Sequence, residues 1–184
     1  MRYGSYVLVG LVLLASMACV LPLADDPPDY DEEHLERLVL EAVNRTRRSR
    51  GLRAFALDRR LTEAARAHSR DLAQWGRTGH SGSNGSTPAE RIRQTGWVAH
   101  QLAENIYRGS LYAYVTRTIE TGQPVHEEYH WETPERLARL AVDGWMSSPG
   151  HRTNMLDPDL QMAGLGVAFD AEHRWVVTLD MASN

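Results

Sequence analysis

Residues Gly144–Ala168 read GWMSSPGHRTNMLDPDLQMAGLGVA. This stretch ends a helix, displays a histidine at a chain break and then opens a strand. Upstream, Thr133-Pro134-Glu135 is a helix start, a capping hydroxyl followed by proline at the first helical position. The helix runs on through Leu137, Leu140, Ala141 and Trp145, and Ser147, Ser148, Pro149 and Gly150 stop it. Downstream, AGLGVAFD (Ala163–Asp170) and RWVVTLD (Arg174–Asp180) read as two strands joined by a turn over Asp170–His173.

The chain before this stretch is mostly helical. Leu35, Leu38, Val39, Ala42 and Val43 recur at three- and four-residue spacing, which predicts a helix over 31–49 with one apolar face. Asp31, Glu32 and Glu33 fill its first turn, and Arg45, Arg47, Arg48 and Arg50 cluster at its end before Gly51. The arginine cluster reads as a solvated helix end rather than a patch for anionic lipid or nucleic acid. LRAFALD (Leu52–Asp58) is a short alternating segment. A second helix over 59–75 carries Leu61, Ala64, Ala65, His68, Leu72 and Trp75 near one face, which makes His68 a core histidine. HSGSNGSTP (His80–Pro88) is a loop, a short helix runs from Thr87 or Pro88 to Gln94, and an extended run begins at Ala103. Helices first and strands late give an α+β domain in which two C-terminal strands pair antiparallel under helices.

Composition narrows the function. The 184 residues amount to one domain, with 42% hydrophobic and 24% charged residues. Twenty basic residues against 24 acidic ones give a net charge of −4, the wrong sign for a protein held on nucleic acid by phosphate neutralisation. Every basic residue is arginine, so lysine Schiff-base and P-loop chemistry are excluded. A single cysteine, Cys19, rules out an intrachain disulfide and a cysteine-rich zinc site.

Cys19 lies in an address. Tyr6–Ala24 (YVLVGLVLLASMACVLPLA) is an apolar run behind Arg2, and Asp25, Asp26, Pro27, Pro28 and Asp29 follow it. A cleaved secretory signal, lipidation at Cys19 and a retained membrane anchor all fit, and each sends the folded part outside the cytoplasm. We therefore divide the chain into an export or anchor segment 1–24 that contacts the membrane, a linker 25–30 and a domain 31–184.

Within that domain, His80 opens the Gly/Ser loop, His151 follows the helix stop, and Glu104 precedes an extended segment. Two imidazoles and a carboxylate could bind zinc or copper, or supply a general base and its partner. On spacing alone the favoured reading of each is a polar residue that fixes its loop. His34, His100 and His173 have no neighbours that point to chemistry, and no nucleophile elbow is visible near His80 or His151.

Four ordered blocks carry a resemblance. LTEAARAHSRDLA, HSGSNGSTPAERI, AENIYRG and GWMSSPGHRTNMLDPDLQMAGLGVA resemble, in sequence order, the second helix, histidine loop, Glu-Asn-Ile block and Trp-x-x-Ser-Pro-Gly-His block of the CAP superfamily. That group comprises the cysteine-rich secretory, antigen 5 and pathogenesis-related 1 proteins, and the chain is most similar to its bacterial secreted branch. The resemblance implies an α-β-α sandwich with a shallow cleft. It implies His80 and His151 as the cleft histidines and Glu104 as the first cleft glutamate. Ser148 stands where many eukaryotic members carry a second glutamate, so the acidic set is incomplete and a metal there would be held weakly. No cofactor is required on this reading, and a divalent metal is optional. Lipid, cell-wall material or protein are the partners implied. Glu90 either partners an arginine structurally or lines the cleft, the structural role being preferred, and Asn105 and Asn154 are read as hydrogen bonders that fix loops.

Leu111–Glu132 is an insert relative to that pattern. It contains His126-Glu127-Glu128-Tyr129-His130, a literal H-E-x-x-H, whose histidines would share one face of a helix and grip zinc. Against this, Pro124 and Pro134 confine any helix to about two and a half turns. LYAYVTRTIETGQPV alternates through Thr121-Gly122 like a β-hairpin, and Glu135 and Asp143 are merely available as a third ligand. The sequence therefore supports an exported binding module first, a metal-dependent hydrolase second, and a purely structural envelope protein third.

Overall fold

The structure is a computed structural model that describes residues 26–121 and 123–183. The apolar segment read above as an export signal or anchor, with Cys19, lies outside the described residues.

The elements run α1 (Glu32–Arg48), β1 (Ala56–Leu57), α2 (Arg59–Trp75), α3 (Pro88–Gln94), β2 (Gln101–Ser110), β3 (Tyr112–Glu120), β4 (Gln123–Trp131), α4 (Pro134–Ser147), α5 (Pro149–Met155), β5 (Met162–Phe169) and β6 (Arg174–Ser183). Asp31 caps α1 by accepting from the His34 N–H, and Asp58 caps α2 through the N–H groups of Arg60 and Leu61. The main sheet has the order β1-β5-β6-β2; β1 runs parallel to β5, and the other pairs are antiparallel.

The sheet lies between two helical layers, as the alternation of β6 requires. Trp175, Val177, Leu179 and Met181 face the layer of α1 and α4, where they pack with Leu35, Val39 and Trp145. Val176 and Ala182 face α2 and α3, in clusters with Leu72 and with Leu61, Ile92 and Trp97. Helix α2 sits almost on the backbone of β5. A Cβ at Gly164 would stand 2.1 Å from backbone atoms of Leu61 and Thr62, and one at Gly166 2.2 Å from the Arg66 nitrogen. No larger residue fits at either place without moving the helix.

Three details depart from the sequence reading. First, the helix stop at Ser147–Gly150 is only a corner. Ser148 is extended, and Pro149 opens a new helix, α5, with its fixed φ already suited to that position. Second, Arg47 is not part of a solvated helix end. It is 1% exposed, lies 3.7 Å over the Phe55 ring, and donates to the carbonyls of Arg53, Met155, Asp157 and Leu160. Third, Glu90 is structural without an arginine: it closes a capping box with Thr87 at the start of α3.

The insert forms a separate two-stranded sheet, β3 with β4. Tyr30 ties down its root by donating to the Glu132 carbonyl at 2.7 Å and the Leu111 carbonyl at 3.3 Å. Tyr112, Tyr129, Trp131 and His173 form an aromatic cluster near that root.

Candidate functional site

The site is built around strand β2, which among the described residues is an edge strand paired with β6. Glu104 and Asn105 are adjacent, so their side chains leave the strand on opposite faces. Each reaches one of the two histidine-bearing segments.

Glu104 holds the His80 side. The His80 Nδ1–H donates to Glu104 Oε1 at 2.7 Å, and Arg91 Nη2 donates to Oε2 at 2.6 Å. Glu104 and Arg91 are buried, whereas the His80 side chain is 55% exposed. With Nδ1 committed to a carboxylate, the Nε2 lone pair of the neutral ring faces away from Glu104. The backbone of the loop is pinned as well. Arg91 Nη1 donates to the carbonyls of His80 and Ser86, the Ser83 N–H and hydroxyl donate to Asp71, and His68 Nε2–H donates to the Gly79 carbonyl. His68 is the core histidine expected, 1% exposed, and burial holds its pKa below the usual imidazole range.

Asn105 holds the other side. Its Nδ2 donates to the His151 carbonyl at 2.9 Å, while Asn154 Nδ2 donates to Asn105 Oδ1 at 3.0 Å. Both asparagines are the structural hydrogen bonders expected, set on β2 and α5 rather than in loops. Two pKa shifts describe the rim. The hydrogen bond to Glu104 raises His80 against the opposing effect of burial. Burial lowers His151, and the nearby charge of His80 adds to that effect.

The donor set limits what metal could sit here. Glu104 is buried behind the exposed His80 ring, with one oxygen on that ring and the other on Arg91, so this carboxylate orients His80 and does not reach a metal at Nε2. Ser148 lies at the corner between α4 and α5 and makes no side-chain capping bond. Two imidazoles remain, and among the described residues no group of three or more histidine, cysteine, aspartate or glutamate side chains is arranged to hold a metal ion.

The insert histidines do not form a second centre. His126 and His130 lie on strand β4, not on a helix. Four residues along a strand span about 13 Å, too far for one ion to bridge. His130 is occupied besides: its ring stacks on Tyr114 at 4.0 Å, and its Nε2 is 2.9 Å from the Thr116 hydroxyl. The helical reading of this motif is corrected, and the hairpin alternative is the one observed.

Sequence reasoning missed Arg91, which touches both the His80 backbone and Glu104. It also missed Asp180, paired opposite Glu104 on β6. An aspartate inside the apolar run WVVTLDMA was the available signal for the latter. An open surface pocket of about 230 Å³ lies elsewhere, between α1, α2 and β5, lined by Leu40, Leu57 and Leu165 and by the charged Glu33, Glu36, Arg37 and Arg66.

The arrangement agrees with relationship by sequence. Residues 40–180 match the pattern of the cysteine-rich secretory protein family, CAP. The chain belongs to that family. It is 28% identical over 131 residues to the uncharacterized protein YkwD of Bacillus subtilis, an alignment covering 71% of this chain and 41% of that protein. The chain thus spans well under half the length of that relative. Among solved structures, an outer surface protein of Borrelia burgdorferi superposes with a TM-score of 0.65 at 15% identity, over 84% of this chain and 96% of that one. NaASP2, solved with Zn2+, superposes with a TM-score of 0.53 at 16% identity, over 85% and 83%. At these identities the likeness is one of fold. Among the described residues no helix is long and apolar enough to cross a membrane.

Proposed function

We propose that the chain is an exported CAP-domain module that binds a ligand in the cleft between His80 and His151. The observation that carries this reading is the pairing of a buried, fully engaged glutamate with a half-exposed imidazole. A histidine that only fixed its loop would not need a buried ion pair behind it and a free Nε2 in front. The apolar segment 6–24 favours action at or outside the cell envelope, and the outer-surface name of the Borrelia protein agrees. Residues 1–24 then serve as an export signal or an anchor through the membrane or through lipidated Cys19, and 25–29 as linker; the expected boundary at 30 moves by one residue because Tyr30 packs on the domain. The partners favoured are lipid, cell-wall material or protein, with no role for nucleic acid.

A divalent cation fits only as a two-histidine guest, held by Nε2 of His80 and a ring nitrogen of His151. When bound, it would supply Lewis acidity and open positions for an anionic ligand group. NaASP2 is solved with Zn2+, which makes zinc the first ion to try. Calorimetric titration of the full chain with zinc tests this. His80→Ala/His151→Ala should abolish the heat of binding, and His126→Ala/His130→Ala should leave it unchanged. Loss only in the insert variant would overturn the cleft assignment. No binding by wild type at millimolar zinc would leave a metal-free binding site.

A further inference from the structure

Strand β6 sets Asp180 between two partners, Gly164 on β5 and Glu104 on β2. Directly opposed residues of an antiparallel pair project to the same face, with Cβ atoms about 5 Å apart. The two carboxyl groups therefore lie side by side under α2 and α3. Asp180 is fully buried and Glu104 nearly so.

No donor reaches Asp180, although the Nε–H of Arg91 is buried without a partner among the described residues. His80 Nδ1 and Arg91 Nη2 serve Glu104, and Arg91 Nη1 serves two backbone carbonyls. Among the described residues, neither Asp180 oxygen accepts a hydrogen bond. A carboxylate can only accept, and one buried without a donor recovers its lost hydration by keeping a proton.

We infer that Asp180 stands as the neutral acid and donates its hydroxyl hydrogen to the Glu104 carboxylate, which makes it a positioning residue that acts on His80 through Glu104. Glu104 then accepts from three directions, from His80, Arg91 and Asp180. Its carboxylate plane is fixed, and with it the direction of His80 Nε2.

The surrounding charges agree. The groups facing the pair are Arg91 from α3, His68 from α2 and His80 from the loop. Burial and the Glu104 charge push Asp180 well above the usual carboxylate range, and Arg91 opposes them less strongly. Burial keeps His68 from supplying a second positive charge. With the His80 ring neutral, one guanidinium meets two carboxyl groups, and one retained proton leaves the cluster without excess charge.

This inference deepens the reading of the cleft and rests on Glu104 holding His80, but its test needs no ligand. A failed zinc titration leaves it standing. Infrared spectra of the full chain with isotope-labelled aspartate should show, at pH 7, the carbonyl stretch of one protonated acid. Asp180→Asn should remove it. Absence of the band in wild type, or its survival in Asp180→Asn, overturns the inference, and the wild-type spectrum decides even if the variant does not fold.

Thermal unfolding adds a pH signature. A carboxyl raised in the folded state weakens the fold as pH climbs above the unfolded aspartate value of about 3.9. Asp180→Asn should therefore gain in Tm over wild type from pH 4 upward, and a gap that is constant or reversed counts against a neutral Asp180. For positioning, the His80 Nδ1–H resonance should stay protected from exchange in Asp180→Asn, which keeps a donor, and lose protection in Asp180→Ala. An unchanged signal in a folded Asp180→Ala would remove the role through Glu104.

Discussion

The cleft and the hairpin carry the same ingredients, histidine and glutamate close together, yet only the cleft assembles them. In the hairpin, His126, Glu127, Glu128 and His130 are neighbours in sequence, but the extended backbone spaces the histidines along β4, and the ion pair Arg117–Glu127 lies at the surface. In the cleft, His80, Arg91 and Glu104 come from a loop, a helix and a strand, yet they meet within hydrogen-bond distance because Glu104 is buried between them. Proximity along the chain is thus a poor guide to a site, and a buried charged acceptor that gathers donors from several elements is a better one.

That contrast can be broken most directly at its two carboxylates. Glu104→Ala leaves Arg91 buried without its counter-charge, and truncating one partner of such a pair costs about 3–5 kcal/mol. Denaturant unfolding should register a loss of that order, whereas Glu127→Ala in the hairpin should unfold with the wild-type midpoint. Equal effects from the two would mean that the cleft pair is no more embedded than the surface one.

A smaller effect is expected where the hairpin meets the domain. Tyr30→Phe removes one hydroxyl that donates to two backbone carbonyls at the root, a loss of about 1 kcal/mol. Amide exchange should quicken in β3 and β4 and stay unchanged in β2. Quickening in β2 as well would show that hairpin and cleft open as one unit.

The smallest effect is a titration. His80 should hold its proton to higher pH than His151, since a hydrogen bond to Glu104 raises the first and burial lowers the second. Ring resonances followed against pH give the order directly. Because the folded His80 value is raised, its contribution to stability is complete below the unfolded value of about 6.5 and disappears as pH rises through the folded value. The deficit of His80→Ala should accordingly be larger at pH 6 than at pH 9; the reverse dependence would contradict a histidine held by Glu104.

Much of the architecture was legible in the sequence because local rules decide it. The two C-terminal strands were expected at 163–170 and 174–180 and lie at Met162–Phe169 and Arg174–Ser183, since alternation and the turn at Asp170 need no tertiary knowledge. The Thr87-Pro88 and Thr133-Pro134 helix starts were visible for the same reason. What stayed hidden depends on distant partners. Arg47 looks like any basic residue at a helix end until the carbonyls beyond α5 close over it. His80 and Glu104 could be named from the family pattern. Arg91, the cation that balances them, follows from no local rule, because burial of a guanidinium is decided by what folds around it.

Arg47 has one more consequence. It belongs to the first helix, yet it grips the backbone after Ser49 and again after α5, joining segments more than a hundred residues apart. In a family named for its cysteines, this chain has a single cysteine, and that residue lies in the apolar run before the domain. A guanidinium here takes on the work of a cross-link: it closes the chain on itself with charge-assisted hydrogen bonds in place of a sulfur–sulfur bond. Such a clasp has no redox chemistry, so reductant has nothing to cut, and the domain should hold its shape on either side of a membrane whatever the thiol balance there.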